Sequence, residues 1–491
     1  MSDRKDELKR QARDIFAYAL EASRVAPVME ARIRFEGDAL WVDRDAYRLQ
    51  DYARIVVVAL GKAAGVMAAT FLRLAGEQAA RMEAVVCGVG EMPGLPAGVR
   101  VYRGGHPTPN QASRAAAEDV LRTLGSLTER DLAVFLVSGG GSALVEKFMR
   151  EDATEAEVAA THRALVESGL PIAAMNVVRK HLSAVKGGRL AAAAAPAEQL
   201  TVLVSDVPAG ELDALSSGPT LPDRSTVADV RRIVAQYGLE SVLPKRVAAM
   251  LLDPELAETP KEQDAAFARS RWYCLLDSGS LAAAAAARAV ALGWRVEIDN
   301  ACDDWSAAAA AEYLVARLRQ LRMAGERVCL LSAGEVTVRV PTTVAGRGGR
   351  NQHFALLCSQ RIAGEVITVL SGGSDGIDGN SVAAGGVVDG STLERAQQMG
   401  YPVEQALARF DSEGLLGLLD DTIVTGPTGN NLRDLRILLG LSDGLAKGSG
   451  GYLAGAGSPR RWSRLWNSGS EWRPWNCGST LRKIMLFERS S

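Results

Sequence analysis

The segment DLAVFLVSGGGSAL, residues 131–144, combines groups that can bind an anion. An apolar run ends here in a glycine-rich loop, and a pattern typical of a helix follows. Backbone N–H groups of such a loop and of the helix N-terminus can donate to a phosphate or a carboxylate, and glycines leave the approach open. A tight turn with close helix–strand packing is the alternative explanation. The candidate binding residues of this loop are Ser138, Gly139, Gly140, Gly141 and Ser142.

Charged side chains follow apolar runs elsewhere in the sequence. Lys62 follows ARIVVVALG, and Asp206 follows QLTVLVS. In the second half, Arg350 lies in GRGGRNQHF, and LSGGSDGIDG contains Asp375 and Asp378. Singly, these residues are also typical of a solvated surface, a helix cap or an Asx turn. Together, cations for phosphate and carboxylates for Mg²⁺ predict phosphoryl transfer, which depends mostly on positioning and charge stabilisation.

Short apolar runs alternate with helical patterns along most of the chain. Residues 4–30 predict an amphipathic helix, and apolar runs near residues 53–60, 83–90, 131–138 and 199–205 predict strands. The pattern starts again at residue 271. Such strands are typical of a mostly parallel sheet covered on both faces, with ligands beyond the carboxyl ends of the strands. We therefore predict an α/β protein with two domains, residues 1–262 and residues 263–440.

The composition excludes several classes of protein. Hydrophobic residues make up 47% of the 491 residues, charged residues make up 23%, and the formal net charge is -2. This balance indicates neither a nucleic-acid nor a membrane partner. The six cysteines form no CxxC pair, and no signal peptide or long apolar segment is present. We expect a cytoplasmic protein with reduced thiols.

The character of the sequence changes after about residue 440. The segment 441–491 is rich in Gly, Ser, Arg and Trp, and no periodic pattern supports a packed element. We interpret it as an atypical tail outside the native fold, such as a frameshifted or vector-derived end. Basic residues interleaved with aromatic ones are the alternative, a weak indication of nucleic-acid binding. The tryptophans of this tail are Trp462, Trp466, Trp472 and Trp475.

Several well-known motifs are missing from the sequence. There is no GxxxxGK[ST] motif, no HRD and DFG pair, and no convincing GxGxxG fingerprint followed by an acidic residue. The histidines show no metal-ligand spacing. These absences argue against a Walker-A nucleotide protein, a protein kinase and a nicotinamide enzyme.

The chain resembles the class II glycerate kinases, two-domain enzymes whose C-terminal half is called the MOFRL domain. The resemblance runs from about residue 8 to about residue 439, and it is specific because the motifs occur in the same order over so much of the chain. The motifs that carry it are VVALGKAAG, GGHPTPN, VSGGGSAL, SDVPAG, SSGPT, GRGGRNQHFAL, LSGGSDGIDG and TGPTGNNLRDL.

The resemblance implies a fold, a reaction and a set of site residues. The fold is a larger Rossmann-like domain and a smaller α/β domain with the active site between them. The reaction is phosphorylation of D-glycerate by ATP with Mg²⁺, which gives 2-phospho-D-glycerate. The family's important positions match Lys62, Asp206, Glu335, Arg350, Asp375 and Asn431.

The resemblance also implies roles for these residues. Lys62 and Arg350 are the expected charge-stabilising pair, and Asp206 is the third catalytic candidate. Glu335 and Asn431 are expected to bind substrate or nucleotide, and Asp375 the metal. Whether Asp206 or Asp375 accepts the hydroxyl proton stays open. Whether the glycine loop holds the substrate carboxylate or an ATP phosphate stays open as well, as does a homo-oligomeric state.

Some positions depart from the family pattern. Ala333 stands where glycine is expected, and Asn380 and Ser381 stand where Pro-Thr is more frequent. Val382 replaces an expected Asp, and Asn430 replaces the usual Thr. Two other classes of function are kept as alternatives. One is an NAD(P)H-dependent hydroxypyruvate reductase, and the other is a non-catalytic module that binds sugar acids or phosphate.

Overall fold

The structure is a computed structural model of the chain, and it describes residues 2–150, 152–208, 210–322, 327–341 and 346–441. The predictions for the tail concern residues after Leu441, which lie outside the described residues. The strands are β1 Ile33–Glu36, β2 Ala39–Val42, β3 Asp45–Arg48, β4 Arg54–Leu60, β5 Met82–Gly88, β6 Arg100–Arg103, β7 Asp131–Ser138, β8 Glu198–Val204, β9 Ser270–Leu276, β10 Arg295–Ile298, β11 Val328–Ala333, β12 Ile367–Gly373, β13 Gly385–Asp389, β14 Thr422–Ile423 and β15 Asp434–Gly440.

The helices cover both faces of the sheets. They are α1 Ser2–Ala22, α2 Val25–Arg32, α3 Ala64–Ala75, α4 Gln111–Leu124, α5 Gly141–Leu144, α6 Glu155–Glu167, α7 Ile172–Leu182, α8 Arg189–Ala194, α9 Val227–Gln236, α10 Leu239–Val242, α11 Lys245–Leu252, α12 Ser278–Ala291, α13 Ala307–Arg322, α14 Arg350–Arg361, α15 Thr392–Gln398, α16 Val403–Ala408 and α17 Ser412–Leu418. Capping boxes, in which the cap side chain and the third helical residue bond reciprocally, begin α4, α6, α9 and α12. None of the helices described is long and apolar enough to cross a membrane.

In the described residues, β1, β2 and β3 form a small antiparallel sheet, and two larger sheets have six strands each. The first of these larger sheets, called the first sheet below, is parallel throughout, in the order β6-β5-β4-β7-β8-β9. Its central strands are buried on both faces, as continuously apolar runs predict. In the register of this sheet, Leu60 lies opposite Val137, and Ser138 lies opposite Val204. The carboxyl ends of β4, β7 and β8 are therefore neighbours. The Lys62 turn, the glycine loop and Asp206 leave the sheet at one edge, as predicted.

The second sheet is mixed and mostly antiparallel, in the order β10-β11-β15-β12-β13-β14. Strand β15 is antiparallel to both of its neighbours, β11 and β12, and only β10 and β11 run parallel. The mostly parallel sheet that the sequence predicts is thus the first one. The two-domain α/β fold class is confirmed, with a six-stranded parallel sheet in the larger part and a second α/β part.

Helix α1 packs against the second sheet although it begins the chain. The ring of Phe16 is buried against the Cα of Gly372 in β12. The buried Lys9 Nζ lies 2.7 Å from an Asp421 oxygen and 3.2 Å from an Asp389 oxygen. One hydrophobic core continues from this helix to both sheets.

The predicted 4–30 helix is wrong in one respect, because the chain turns at residues 23–24 between α1 and α2. Strand β9 pairs with β8 in the first sheet. The chain therefore passes to the second sheet after residue 276, and the predicted boundary at residue 262 precedes the last strand of the first sheet. Because α1 packs on the second sheet, each half of the protein is not a single continuous segment of the sequence.

Candidate active site

Steric crowding explains the three glycines of the loop after β7. A Cβ on Gly139 would lie 1.8 Å from a carboxylate oxygen of Asp206. Gly140 has a φ of +82°, and a Cβ there would lie 3.0 Å from a side-chain carbon of Lys62. A Cβ on Gly141 would overlap two other side chains at 2.6 Å. The glycines thus let a lysine and an aspartate, both predicted site residues, lie directly against the loop backbone.

Ser138 joins this loop to its neighbours. Its hydroxyl accepts a hydrogen bond from the Ala63 N–H at 3.0 Å, and the residue is buried. The Ser216 hydroxyl donates to the Ser138 carbonyl at 2.6 Å and accepts from the Gly141 N–H at 2.9 Å. Ser138 and the Gly141 N–H therefore bond within the protein. An anion at this loop would have to use the other N–H groups.

A second pair of hydroxyls lies at the start of α5. The Ser142 and Ser217 hydroxyl oxygens are 2.9 Å apart, and the Ser217 hydroxyl donates to the Asn176 amide oxygen at 3.2 Å. Ser216 and Ser217 have φ values of 50° and 61°, in the left-handed region. Such residues cost about 1–2 kcal/mol each, and they are concentrated at functional sites. The sequence interpretation included Ser142 and missed both serines of the SSGPT motif.

Asp206 lies in a buried environment between two cations. Burial raises the pKa of its carboxyl, and Lys62 and Arg433 act in the opposite direction. His106 lies near Lys62, since both side chains are within 3.4 Å of the Cβ position of Gly140. Burial and the nearby lysine lower the pKa of His106, so its imidazole is neutral at pH 7. The first half thus contributes an exposed lysine, a carboxylate with a raised pKa and a neutral imidazole.

A network of ion pairs holds Arg350 in the second half. Its Nε lies 2.6 Å from an Asp434 oxygen, and its Nη2 lies 2.7 Å from a Glu335 oxygen. Burial lowers the pKa of the Arg350 guanidinium, but Asp434 and Glu335 outweigh it and the net shift is upward. Burial raises the pKa of the Glu335 carboxyl, and Arg350 opposes it. The predicted residues Glu335 and Arg350 are thus brought together, with Asp434 as a partner that the sequence interpretation did not include.

Arg433 connects the two groups of residues. It is 4% exposed, has a φ of 70° and pairs with Asp303. Burial raises the pKa of both Glu335 in the second half and Asp206 in the first, and the charge of Arg433 opposes that rise at both carboxyls. The two clusters therefore face each other across the halves. Sequence reasoning missed Arg433, although it lies in the quoted motif TGPTGNNLRDL.

Asp375 and Asn431 both lie in the loops beside this network. Asp375 accepts a hydrogen bond from the Ile377 N–H at 3.1 Å, an Asx turn. Its carboxylate and that of Asp434 both lie within 3.4 Å of the Cβ position of Gly373. The Asn431 amide oxygen accepts from the Arg433 N–H at 3.1 Å, so Asn431 shapes the turn that positions this arginine.

Asp378 has a structural role. Its two carboxylate oxygens accept the backbone N–H groups of Asn351 and Gln352 at 3.0 and 2.9 Å, at the N-terminus of α14. Burial raises its pKa to about 6 despite these donors. Of the two aspartates in LSGGSDGIDG, Asp375 is therefore the one whose carboxylate has room for a metal ion.

The residues present fit Mg²⁺ bound together with phosphate. No group of three or more His, Cys, Asp or Glu side chains among the described residues could hold a metal ion alone. Mg²⁺ at phosphate-transfer sites needs only one or two carboxylates, because phosphate oxygens and water complete its coordination. Asp375 supplies one such carboxylate, whereas both oxygens of the neighbouring Asp434 accept hydrogen bonds from Arg350.

Comparison with known proteins agrees with this architecture. A family model described as a domain of unknown function, DUF4147, matches residues 11–252, and the MOFRL family model matches residues 328–434. The two-part α/β fold, with a charged cluster in each half, is therefore that of the DUF4147–MOFRL proteins.

Named relatives make the assignment more specific. The D-glycerate 2-kinase of Thermotoga maritima is 34% identical over 389 residues, which cover 78% of this chain and 90% of that protein. A putative hydroxypyruvate reductase of Agrobacterium vitis is 37% identical, over 79% of this chain and 87% of that protein. The crystal structure of glycerate kinase from T. maritima has a TM-score of 0.76 and 31% identity, and the match covers 89% of this chain and 100% of that one. This chain belongs to the class II glycerate kinase family.

Proposed function

We propose that this protein transfers the γ-phosphoryl group of ATP to the 2-hydroxyl of D-glycerate, with Mg²⁺, and releases 2-phospho-D-glycerate and ADP. One observation carries the proposal: Asp206 and Lys62 lie against the same glycine loop, and the charge of Arg433 reaches Asp206 from the second half. A carboxylate and cations around one loop are the groups that phosphoryl transfer to an alcohol needs. The names of the glycerate kinase relatives support the same reaction.

Asp206 is the best candidate for the general base. A base must accept the proton of the 2-hydroxyl as the oxygen attacks phosphorus, and a raised pKa makes the carboxylate a better acceptor. The burial of Asp206 beneath the loop provides that raised pKa. Asp375, whose carboxylate lies in the second half, is then free for the metal.

Lys62 and Arg350 supply positive charge around the transferred group. Lys62 is exposed, so its ammonium group can reach a phosphate from solvent. Arg350 is held by Asp434 and Glu335, and its side chain is 37% exposed. These ion pairs fix the guanidinium orientation before the substrate arrives, which is the form of preorganisation that charge stabilisation requires.

Asp375, beside Asp434, would hold Mg²⁺ through its carboxylate. When bound, the ion neutralises negative charge on the triphosphate oxygens. Glu335 and Asn431 act on this side of the site by positioning Arg350 and Arg433. The cytoplasmic location and the absence of a nucleic-acid partner stay predictions.

Reduction of hydroxypyruvate is the second candidate, because the 37% identical relative carries that name. One experiment separates the two. The protein is incubated with D-glycerate, ATP and Mg²⁺, ADP is measured by a coupled assay, and the product is identified by phosphorus NMR. A parallel reaction contains hydroxypyruvate and NADH or NADPH. Glycerate-dependent ADP with phosphate on carbon 2 supports the kinase. Oxidation of the nicotinamide without ADP formation would refute it in favour of the reductase.

A further inference from the structure

A buried charged cluster lies next to the glycine loop. Glu146 is four residues beyond Ser142, and its carboxylate accepts hydrogen bonds from His162 at 3.0 Å, from Ser183 at 2.6 Å and from Lys186. Burial raises the pKa of Glu146, but Lys186 and His162 outweigh it and lower the pKa to about 2. Burial lowers the pKa of His162, which leaves the imidazole neutral at pH 7. The Glu146 carboxylate is therefore ionised and its charge is matched by that of Lys186.

Arg179 is the member of this cluster without a partner. Its Nε is buried and has no hydrogen-bond acceptor, and no ion pair joins its guanidinium to another residue in the described part of the chain. Glu146 acts on it only at longer range. An arginine stays protonated in proteins, and a largely buried cation without an anion is unfavourable. The cluster therefore carries one positive charge that the described residues do not match.

Arg179 lies on the side of α7 that is connected to the glycine loop. Arg179 lies three residues after Asn176 on α7, and residues at this spacing share a helix face. Asn176 accepts from Ser217, and Ser217 contacts Ser142 at the end of the glycine loop. The face of α7 that bears the guanidinium of Arg179 thus contacts Ser217, and Ser217 joins it to Ser142 at the end of the glycine loop.

We propose that Arg179 binds the carboxylate of the hydroxy acid substrate, and that Ser142 and Asn176 are the neutral polar groups beside it. The inference rests on the proposed kinase reaction. One guanidinium among neutral groups matches a single negative charge, whereas a triphosphate needs several cations and a metal ion. Arg179 therefore determines specificity: it selects a hydroxy acid over a neutral alcohol of the same shape.

The test compares two substrates and three variants. D-glycerate is compared with its neutral amide, 2,3-dihydroxypropanamide, and KM and kcat are measured for each and for ATP. Arg179→Gln removes the charge, and Arg179→Lys retains it. Arg189→Gln is the matched control, because Arg189 is also half-buried with an unpartnered Nε, but it lies near the acidic Asp223 and Glu258. Binding of D-glycerate without nucleotide is measured by calorimetry.

We expect Arg179→Gln to raise the KM for D-glycerate about 100-fold, while the KM values for the amide and for ATP stay within about threefold. Arg179→Lys should recover part of the loss, and Arg189→Gln should leave the KM for D-glycerate unchanged. The inference is overturned if Arg179→Gln leaves that KM unchanged, raises it equally for both substrates, or raises the KM for ATP instead. In each of these cases the wild-type activity still supports the kinase. A wild-type protein that neither binds nor phosphorylates D-glycerate would overturn both proposals.

Discussion

Replacing Gly139 with alanine tests whether the glycine loop exists to position Asp206. The added Cβ would lie 1.8 Å from the nearer Asp206 oxygen, whereas ordinary contacts begin at 3.4 Å. The carboxylate must therefore move by roughly 1.5 Å. The backbone of Gly139 lies outside the left-handed region, so alanine brings no conformational strain of its own. The substitution displaces the candidate base without removing any charged group.

The size of the effect follows from this displacement. Misplacing a reacting group by about 1 Å can cost about 10²-fold in rate, and a general base contributes about 10²–10⁴-fold. We expect kcat of Gly139→Ala to fall about 100- to 1000-fold. Overpacking of the loop should lower the free energy of unfolding by about 1–3 kcal/mol. The folded enzyme should therefore persist at room temperature with little activity.

The assay is steady-state phosphorylation of D-glycerate across pH, combined with urea unfolding. Wild-type kcat should rise as the pH passes through the raised pKa of Asp206, because the base must be ionised to accept a proton. The kcat of Asp206→Asn should not show this rise with pH. The double variant Gly139→Ala/Asp206→Asn should be no slower than the slower single variant, because both substitutions disable the same group, the Asp206 carboxylate. Gly417→Ala is the control, as no atom lies within 4 Å of its Cβ position. A Gly139→Ala enzyme within about threefold of wild-type kcat would refute the reasoning.

Three further substitutions test other parts of the structure. Lys62→Met should reduce kcat at least about 10³-fold and change the free energy of unfolding by less than about 0.5 kcal/mol, because Lys62 is exposed. A loss of activity accompanied by a comparable loss of stability would contradict the role of Lys62 in charge stabilisation. Asp378→Asn should flatten the pH dependence of stability. The folded protein keeps a proton up to about pH 6 that the unfolded chain releases near pH 3.8, so wild-type stability falls by up to about 3 kcal/mol as the pH rises through that range. The free energy of unfolding of both proteins is measured by urea titration at pH 4 and pH 7. The same change between the two pH values in wild type and Asp378→Asn would contradict the prediction. Lys9→Met removes the cation paired with the buried Asp389, while Arg395 still pairs with Asp421, and should cost about 3 kcal/mol by denaturant unfolding. The exposed Arg4→Met should cost less than about 0.5 kcal/mol, and similar losses in the two variants would argue against the contact of α1 with the second sheet.

The sequence predicts best what depends on neighbours in the chain. Apolar runs that end in glycine or a charge predicted the strand ends of the first sheet, and hence the meeting of Lys62, Asp206 and the loop. Parallel strands guarantee that such ends share an edge. The second sheet was harder, because its central strand β15 is reached only after a long connection and pairs antiparallel on both sides. A local pattern does not contain that order.

Other parts of the site depend on contacts between distant residues. Arg433 resembles any charged residue before a strand, and only its φ of 70° and its ion pair with Asp303 turn it toward the site. Arg179 lies in a basic last helical turn, where a sequence predicts a solvated side chain. Its burial without a hydrogen-bond acceptor for Nε is a tertiary feature that this local pattern does not show. The packing of α1 on the second sheet joins residues more than 400 positions apart, as for Lys9 and Asp421.

The placement of α1 has a consequence for synthesis on the ribosome. Helix α1 packs against α12 and against β12, β13 and β15, and β15 ends at Gly440. The surface that covers α1 is therefore complete only after some 400 further residues have been added, although α12 is synthesised earlier. Until then part of the apolar face that bears Leu8, Ile15 and Phe16 stays uncovered and can bind chaperones or other nascent chains. The parallel sheet of the first half can assemble meanwhile, so completion of β15 is the step that covers α1 fully.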